Sequence, residues 1–139
     1  NDMPLDLFIK AHNWLYKDMG FIWESDISRL NKFESWVILQ GPHVGDCEDA
    51  ALTIMNRLME QGVDADTLRI IRCAIEYTPE DVPFNHAILG LKDGDKWYFS
   101  DNRHPTLPTC TPSDLASYRF YDAVSLDNLR GIGKPKLFE

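Results

Sequence analysis

Two strand-like segments separated by Asp93-Gly94 constrain the fold of this chain more than any other feature. Residues 86–91 and 96–101 are rich in the apolar and aromatic side chains that favour a pleated sheet. Asp-Gly is among the strongest β-hairpin signals, because a type I′ turn needs positive φ at both central residues. The sequence therefore predicts an antiparallel hairpin over residues 86–101.

The register of this hairpin decides which side chains face each other. If Asp93-Gly94 is the whole turn, His86 lies directly opposite Asp101, with Cβ atoms roughly 5 Å apart on one face. A three-residue loop at 93–95 pairs His86 with Asn102 instead. Both registers predict an oriented imidazole, since a carboxylate and an amide each hold one ring nitrogen. The competing interpretation is a buried structural histidine beside a surface aspartate.

Both faces of the hairpin are largely apolar. The face that carries His86 also carries Ile88, Gly90, Trp97 and Phe99, and the other carries Ala87, Leu89, Leu91, Tyr98 and Ser100. We therefore expect the hairpin to lie inside a larger sheet that is covered on both sides.

Cys47 lies at the predicted start of a helix. Asp46 is a candidate N-cap, and Asp49 three residues later echoes a capping box. Apolar residues at helical spacing extend the helix to about residue 61, and Gly62 suits the C′ position. The first turn of a helix favours thiolate over thiol, and the thiolate is the nucleophilic form.

Three neighbouring carboxylates, Asp46, Glu48 and Asp49, oppose that effect, because unpaired carboxylates near a thiol raise its pKa. Two arrangements resolve the conflict. Either the side chains point away and serve only as cap and helix-dipole partners, or they bind a hard cation through oxygen, for which Ca²⁺ is the best candidate. The first arrangement is an ordinary acidic helix start and needs no metal.

Cys47, His86 and Asp101 are the three parts that a nucleophilic thiol enzyme needs. The backbone N–H of Cys47 is a candidate donor to an oxyanion, and Gln40 and Trp36, both just upstream, are candidates for the second donor. The alternative for Cys47 is a small buried hydrophobe, which is common among free cysteines.

These residues resemble the bacterial transglutaminase-like cysteine peptidases, the group that includes the periplasmic adhesin-cleaving proteases of the LapG type. The similarity runs through Gly-Asp-Cys-Glu-Asp at 45–49, Asn85-His86-Ala87 and Asp101-Asn102-Arg103, and it covers about residues 30–125. Ala50 departs from the pattern, since the family often has an aromatic residue there. The adhesin-cleaving members are also longer, so their substrate is not carried over.

The resemblance implies a papain-like, transglutaminase-like α+β fold in a single domain spanning residues 1–139. N-terminal helices and the nucleophile helix would pack on an antiparallel sheet. The implied activity is a cysteine peptidase that cleaves an amide bond through a thioester, with Cys47 as nucleophile, His86 as base and Asp101 as its orienting residue. The alternatives are a transglutaminase-type acyltransferase and an inactive calcium-binding module of the same fold.

The resemblance also implies a calcium site at Asp46 and Glu48, to which Asp49 contributes, and no organic cofactor. A net charge of −8 argues against a nucleic-acid partner and is compatible with bound cations. The expected partner is a protein or peptide substrate, without membrane insertion, because no apolar run reaches spanning length. The sequence leaves the compartment open: the resemblance implies the periplasm, and the cytoplasm is the alternative, since no signal peptide is visible.

The remaining segments complete an α+β pattern. Helices are predicted at 4–19, which ends before Gly20, and at 26–39, and residues 40–45 are predicted as a loop that leads to Cys47. Strands are predicted at 68–77 and 118–124. Helices that precede strands favour an α+β fold over alternating βαβ units.

Overall fold

The computed structural model describes residues 4–23 and 44–126, which form an α+β fold, as expected. The helical elements are α1 (Pro4–Asn13), a π-helical turn (Trp14–Asp18), α2 (Cys47–Glu60) and a 3-10 turn (Ala65–Thr67). The strands are β1 (Ile22–Trp23), β2 (Val44–Gly45), β3 (Leu68–Ala74), β4 (His86–Asp93), β5 (Lys96–Ser100) and β6 (Arg119–Val124). The helix predicted at 26–39 lies outside the described residues. Within the parts of the chain that are described, no helix is long and apolar enough to cross a membrane.

The first helix extends over the predicted residues but changes its pitch near the end. Pro4 begins α1 at a position where its missing N–H costs no hydrogen bond. The following turn is π-helical, and the Met19 N–H donates to the Trp14 carbonyl at 2.8 Å. Gly20 follows with φ of 61°, a left-handed conformation that suits glycine. The helix buries Phe8, His12 and other side chains on one face.

The second helix begins and ends where the sequence predicts. The Asp46 carboxylate accepts from the Asp49 N–H at 3.2 Å, and the Asp49 carboxylate accepts from the Asp46 N–H at 3.3 Å. This reciprocal pair is the predicted capping box, and it satisfies N–H groups that the first turn leaves unbonded. At the other end, Gly62 has φ of 91°, as expected for a C′ glycine. Cys47 is therefore the first residue of α2.

Strands β3 to β6 form one antiparallel sheet in the order β5-β4-β3-β6. Helices α1 and α2 cover one face, where the main apolar core includes Phe8, Leu15, Ile54, Leu58 and Leu89. The opposite face carries a second core, which includes Ile71, Ile88, Phe99, Leu115 and Tyr118. The hairpin lies inside a larger sheet that is covered on both sides, and the predicted division of its side chains between the two faces is confirmed.

The hairpin register differs from both predicted registers. Asp93 pairs with Lys96 and Leu89 pairs with Ser100, so the loop is Gly94-Asp95 and not Asp93-Gly94 or residues 93–95. Gly94 takes the left-handed conformation, with φ of 68°, at the first loop position. Extending this register along the two strands places residue 103 opposite His86. The predicted direct pairing of His86 with Asp101 is therefore wrong, and so is the alternative pairing of His86 with Asn102.

A short parallel pair leads the chain into α2. Ile22 pairs with Val44, and Trp23 pairs with Gly45. The loop predicted at 40–45 is therefore wrong for its last two residues, which form β2, and its first four lie outside the described residues. Because β2 is tied to β1, it fixes the direction in which the chain enters Asp46 and the start of α2.

Candidate active site

His86 and Asp101 form a buried hydrogen-bonded pair at the ends of β4 and β5. His86 Nε2 lies 2.7 Å from Asp101 Oδ1. Asp101 is 0% exposed and His86 is 6% exposed, so the bond is shielded from water. The chain turns directly after Asp101, where the His104 N–H donates to the Asp101 carbonyl at 2.9 Å. The Asp101 carboxylate thus lies at the end of β5. It reaches the His86 ring although the strand register does not place the two residues opposite each other.

Three further groups donate to the same carboxylate. The Arg103 N–H donates to Oδ1 at 3.0 Å, and the Tyr118 hydroxyl donates to Oδ2 at 2.5 Å. His104 Nδ1 lies 3.1 Å from Oδ2. Burial alone would raise the pKa of Asp101, but the bonds and charge of His86, with the Tyr118 and Arg103 donors, lower the pKa to about 2. Asp101 is therefore ionised at neutral pH.

An ionised Asp101 determines the tautomer of its histidine partner. A carboxylate only accepts hydrogen bonds, so the His86 nitrogen bonded to it must carry the proton. That nitrogen is Nε2, and neutral His86 therefore has Nδ1 as its basic nitrogen. This is the arrangement in which a histidine serves as a general base while a carboxylate holds its orientation.

Cys47 is buried beside the strand that carries His86. Its thiol donates to Glu48 Oε2 at 3.4 Å, and its sulfur is hydrogen-bonded by the backbone of Ala87, the residue after His86. Burial raises the thiol pKa well above its usual value, and the charges of Glu48 and Asp46 raise it further, whereas the Ala87 bond lowers it. Burial and the neighbouring carboxylates outweigh the effect of the helix start, so the Cys47 thiol is protonated at neutral pH.

The carboxylates near Cys47 divide between two roles. Asp46 and Asp49 form the capping box, as one predicted arrangement required. Glu48 does not point away, because it accepts from the thiol at 3.4 Å. The structure thus combines one cap pair with one direct thiol partner.

Tyr16 lies in the π-helical turn after α1. Burial raises the pKa of its hydroxyl well above the usual value, and the charge of Asp101 adds to the rise.

His12 anchors the Asp101 segment to α1. It is 0% exposed, and its Nε2 lies 3.0 Å from the Pro105 carbonyl, which can only accept. Nε2 therefore carries the proton, and Nδ1 accepts from the Ser100 hydroxyl at 2.6 Å. Burial lowers the pKa of His12. No pattern in the sequence identifies this bracing role of His12.

The predicted calcium ligands have suitable chemistry but do not form a complete site by themselves. Asp46, Glu48 and Asp49 are buried oxygen donors, which a hard cation prefers. The capping box occupies one oxygen of each aspartate, and the thiol bonds one oxygen of Glu48. Across residues 4–23 and 44–126, no three His, Cys, Asp or Glu side chains are grouped to hold a metal ion. The calcium site stays a prediction.

The predicted oxyanion donors cannot be placed in the same way. Gln40 and Trp36 lie outside the described residues. The backbone N–H of Cys47 is at the first position of α2, where helical N–H groups have no intrahelical acceptor. It therefore remains the candidate donor that the structure describes.

The fold is similar to solved structures of LapG from Legionella pneumophila. The calcium-bound structure matches with a TM-score of 0.68 and 18% identity, covering 88% of this chain and 65% of that chain. The EGTA-treated structure matches with a TM-score of 0.58 and 16% identity, covering 87% and 63%. A further LapG structure matches with a TM-score of 0.65 and 17% identity, covering 99% and 77%.

The chain thus spans less than two thirds of the first two LapG chains. No family model matches the chain, and no curated protein matches it. The structural likeness establishes a LapG-like, transglutaminase-like fold, which is the fold that the sequence resemblance implied.

Proposed function

We propose that this protein is a cysteine peptidase in which Cys47 is the nucleophile, His86 the general base and Asp101 the residue that orients His86. The observation that carries the proposal is the buried 2.7 Å bond between His86 Nε2 and Asp101 Oδ1. The bond between the Ala87 backbone and the Cys47 sulfur supports it, because it holds the sulfur beside the start of β4. The LapG-like fold agrees with this assignment.

The reaction starts from the neutral thiol. His86 Nδ1 takes the Cys47 proton as the sulfur attacks the substrate carbonyl, and Asp101 stabilises the imidazolium that forms. The Cys47 N–H donates to the developing oxyanion. The amide bond breaks as His86 returns its proton to the leaving amine, which leaves a thioester on Cys47. Water then attacks the thioester with His86 again acting as base, and the acid product and free thiol are released.

Alkylation by iodoacetamide at about pH 6 tests whether His86 activates the thiol. We expect Cys47 to react faster than Cys73 and Cys110, which are 0% exposed, and His86→Ala to slow Cys47 by roughly 10²–10⁴-fold. Lys96→Ala is the control, since Lys96 is exposed and lies at the opposite end of β5 from Asp101. Equal rates at the three cysteines, or no effect of His86→Ala, would end the proposal.

One observation favours a second candidate function, a catalytically inactive calcium-binding module. The Cys47 thiol is buried, protonated and bonded to Glu48, which is how an unreactive thiol is held. Peptide hydrolysis that is lost in Cys47→Ala excludes this module. Mass analysis of the products with an added primary amine separates hydrolysis from transglutaminase-type acyl transfer, because an amine replaces water on the same thioester.

We propose that a calcium ion binds at the acidic start of α2, with Asp46, Glu48 and Asp49 as its protein ligands. Bound calcium would neutralise negative charge beside the thiol. The LapG structures include a calcium-bound and an EGTA-treated form, which supports a calcium test here.

Calcium should raise the melting temperature of the wild type, and this rise should be lost in Glu48→Gln. Glu60→Gln, an exposed carboxylate at the far end of the same helix, is the matched control and should respond like the wild type. If calcium leaves the wild-type melting temperature unchanged, the carboxylates serve only as a cap and a thiol acceptor.

A further inference from the structure

Tyr118 contacts both members of the His86–Asp101 pair. Its hydroxyl donates to Asp101 Oδ2, the oxygen that His86 does not use. Its ring meets the His86 ring edge to face, with centroids 5.7 Å apart and planes at 90°. Tyr118 itself is 8% exposed, so both contacts are shielded from solvent. One side chain thus contacts the carboxylate through its hydroxyl and the imidazole through its ring.

The direction of the Tyr118 hydrogen bond is fixed from outside the pair. Arg103 Nη1 lies 3.0 Å from the Tyr118 oxygen, and a guanidinium only donates. The hydroxyl oxygen therefore accepts from Arg103, and its proton goes to the acceptor on the other side, Asp101. Arg103 is held in turn by Glu76, which accepts from Nη2 at 2.7 Å and from Nη1 at 3.1 Å. The chain of donors runs one way, from Arg103 through Tyr118 to Asp101.

We propose that Tyr118 is a positioning residue for the proposed base, with its hydroxyl fixing the Asp101 carboxylate and its ring fixing the plane of the His86 imidazole. The catalytic consequence rests on the proposed function. A carboxylate held through both oxygens cannot rotate about its terminal torsion without losing a bond to a charged acceptor. The Tyr118 ring, packed edge to face against His86, restricts the imidazole to one plane. Together these contacts keep Nε2 on Asp101 and Nδ1 as the basic nitrogen.

The decisive variant is Tyr118→Phe, which removes the hydroxyl and keeps the ring. The readout is hydrogen exchange of the His86 Nε2 proton, followed by NMR on protein labelled at histidine. We expect this proton to exchange about tenfold faster in Tyr118→Phe, the scale of one hydrogen bond to a charged group. Tyr121→Phe is the matched control, because Tyr121 is half exposed and its ring packs against Phe84 and Arg72, and it should match the wild type.

The reactivity of Cys47 toward iodoacetamide is measured on the same samples. We expect Tyr118→Phe to slow alkylation of Cys47 by about tenfold, with Cys73 and Cys110 unchanged. Arg103→Gln leaves Tyr118 in place and removes the group that directs its hydroxyl. It should therefore also speed exchange of the His86 proton and slow alkylation of Cys47. This second variant keeps the test valid if Tyr118→Phe does not fold.

The outcomes separate this proposal from the proposed function. Unchanged exchange of the His86 proton in Tyr118→Phe and Arg103→Gln overturns the positioning role, whatever the reactivity of Cys47. The positioning role is also overturned if the His86 proton exchanges faster while the alkylation rate of Cys47 is unchanged, in a protein whose Cys47 is activated by His86. Faster exchange in a protein whose Cys47 reacts no faster than Cys73 supports the positioning role and removes the peptidase assignment.

Discussion

Asp101→Asn is the substitution whose effect on stability follows most directly from the site. The carboxylate is fully buried and accepts from His86, Tyr118 and the backbone of Arg103. Burial alone would raise its pKa, but the donors around it lower the pKa from 3.8 to about 2. The unfolded chain has none of these donors, so its aspartate titrates near the ordinary value of about 3.9.

Because the folded pKa lies below the unfolded one, the ionised carboxylate stabilises the folded state above about pH 4. That stabilisation is lost as the pH falls toward the folded pKa. A difference of nearly two pKa units corresponds to about 2–3 kcal/mol of unfolding free energy. Asparagine has nearly the same shape but does not titrate. The stability difference between wild type and Asp101→Asn should therefore shrink by about 2 kcal/mol between about pH 6 and about pH 2.

Urea unfolding followed by tryptophan fluorescence measures this difference at a series of pH values. Other carboxylates also titrate over this range, including Glu76, whose bond to Arg103 lowers its pKa to about 2. They are present in both proteins, so subtracting one curve from the other removes their contribution. A wild-type advantage that stays constant from neutral to acidic pH would refute the reasoning, because the charge of Asp101 would then not stabilise the fold.

Two further substitutions test the packing around the site. In Gly90→Ala, the new Cβ would lie 2.9 Å from Ile71 Cδ1 and 3.2 Å from the Trp97 ring. We expect a loss of about 1–3 kcal/mol in urea unfolding, and unchanged stability would mean that Trp97 moves aside freely. His12→Leu leaves the Ser100 hydroxyl and the Pro105 carbonyl without their buried partner, at a cost of about 2–4 kcal/mol. Since burial lowers the pKa of His12, the wild type should also lose stability as the pH falls below about 6.5, and His12→Leu should lack that loss.

The parts of this structure that the sequence predicts well are those set by local chemistry. The start of α2 follows from an aspartate that caps its own helix and a second aspartate three residues later. Its end follows from a glycine that accepts a left-handed conformation. These features depend on residues within one turn of each other, so a pattern in the chain contains all the information that they need.

The bracing of the candidate site depends on contacts that no local pattern records. His12 meets Ser100 across 88 positions of the chain, and Tyr118 meets Asp101 across 17. His12 is an ordinary inward-facing side chain of α1, and Tyr118 is a buried aromatic residue directly before β6. Their roles arise only once α1 and the 110–118 segment are folded against the ends of β4 and β5. The pair is therefore predictable from the sequence, whereas the contacts that hold it are not.

The sequence predicts the His86–Asp101 pair in spite of an error in register, and the period of a β-strand explains why. The observed loop shifts the pairing by two residues from the predicted one, since Leu89 faces Ser100 and not residue 98. Side chains alternate with a period of two, so an even shift moves partners along the sheet and leaves every residue on its predicted face. Asp101 remains a diagonal neighbour of His86, within reach of a long side chain. The odd shift of a three-residue loop would have sent Asp101 to the opposite face and removed the pair, so the parity of the loop, more than its length, decides whether a site of this kind forms.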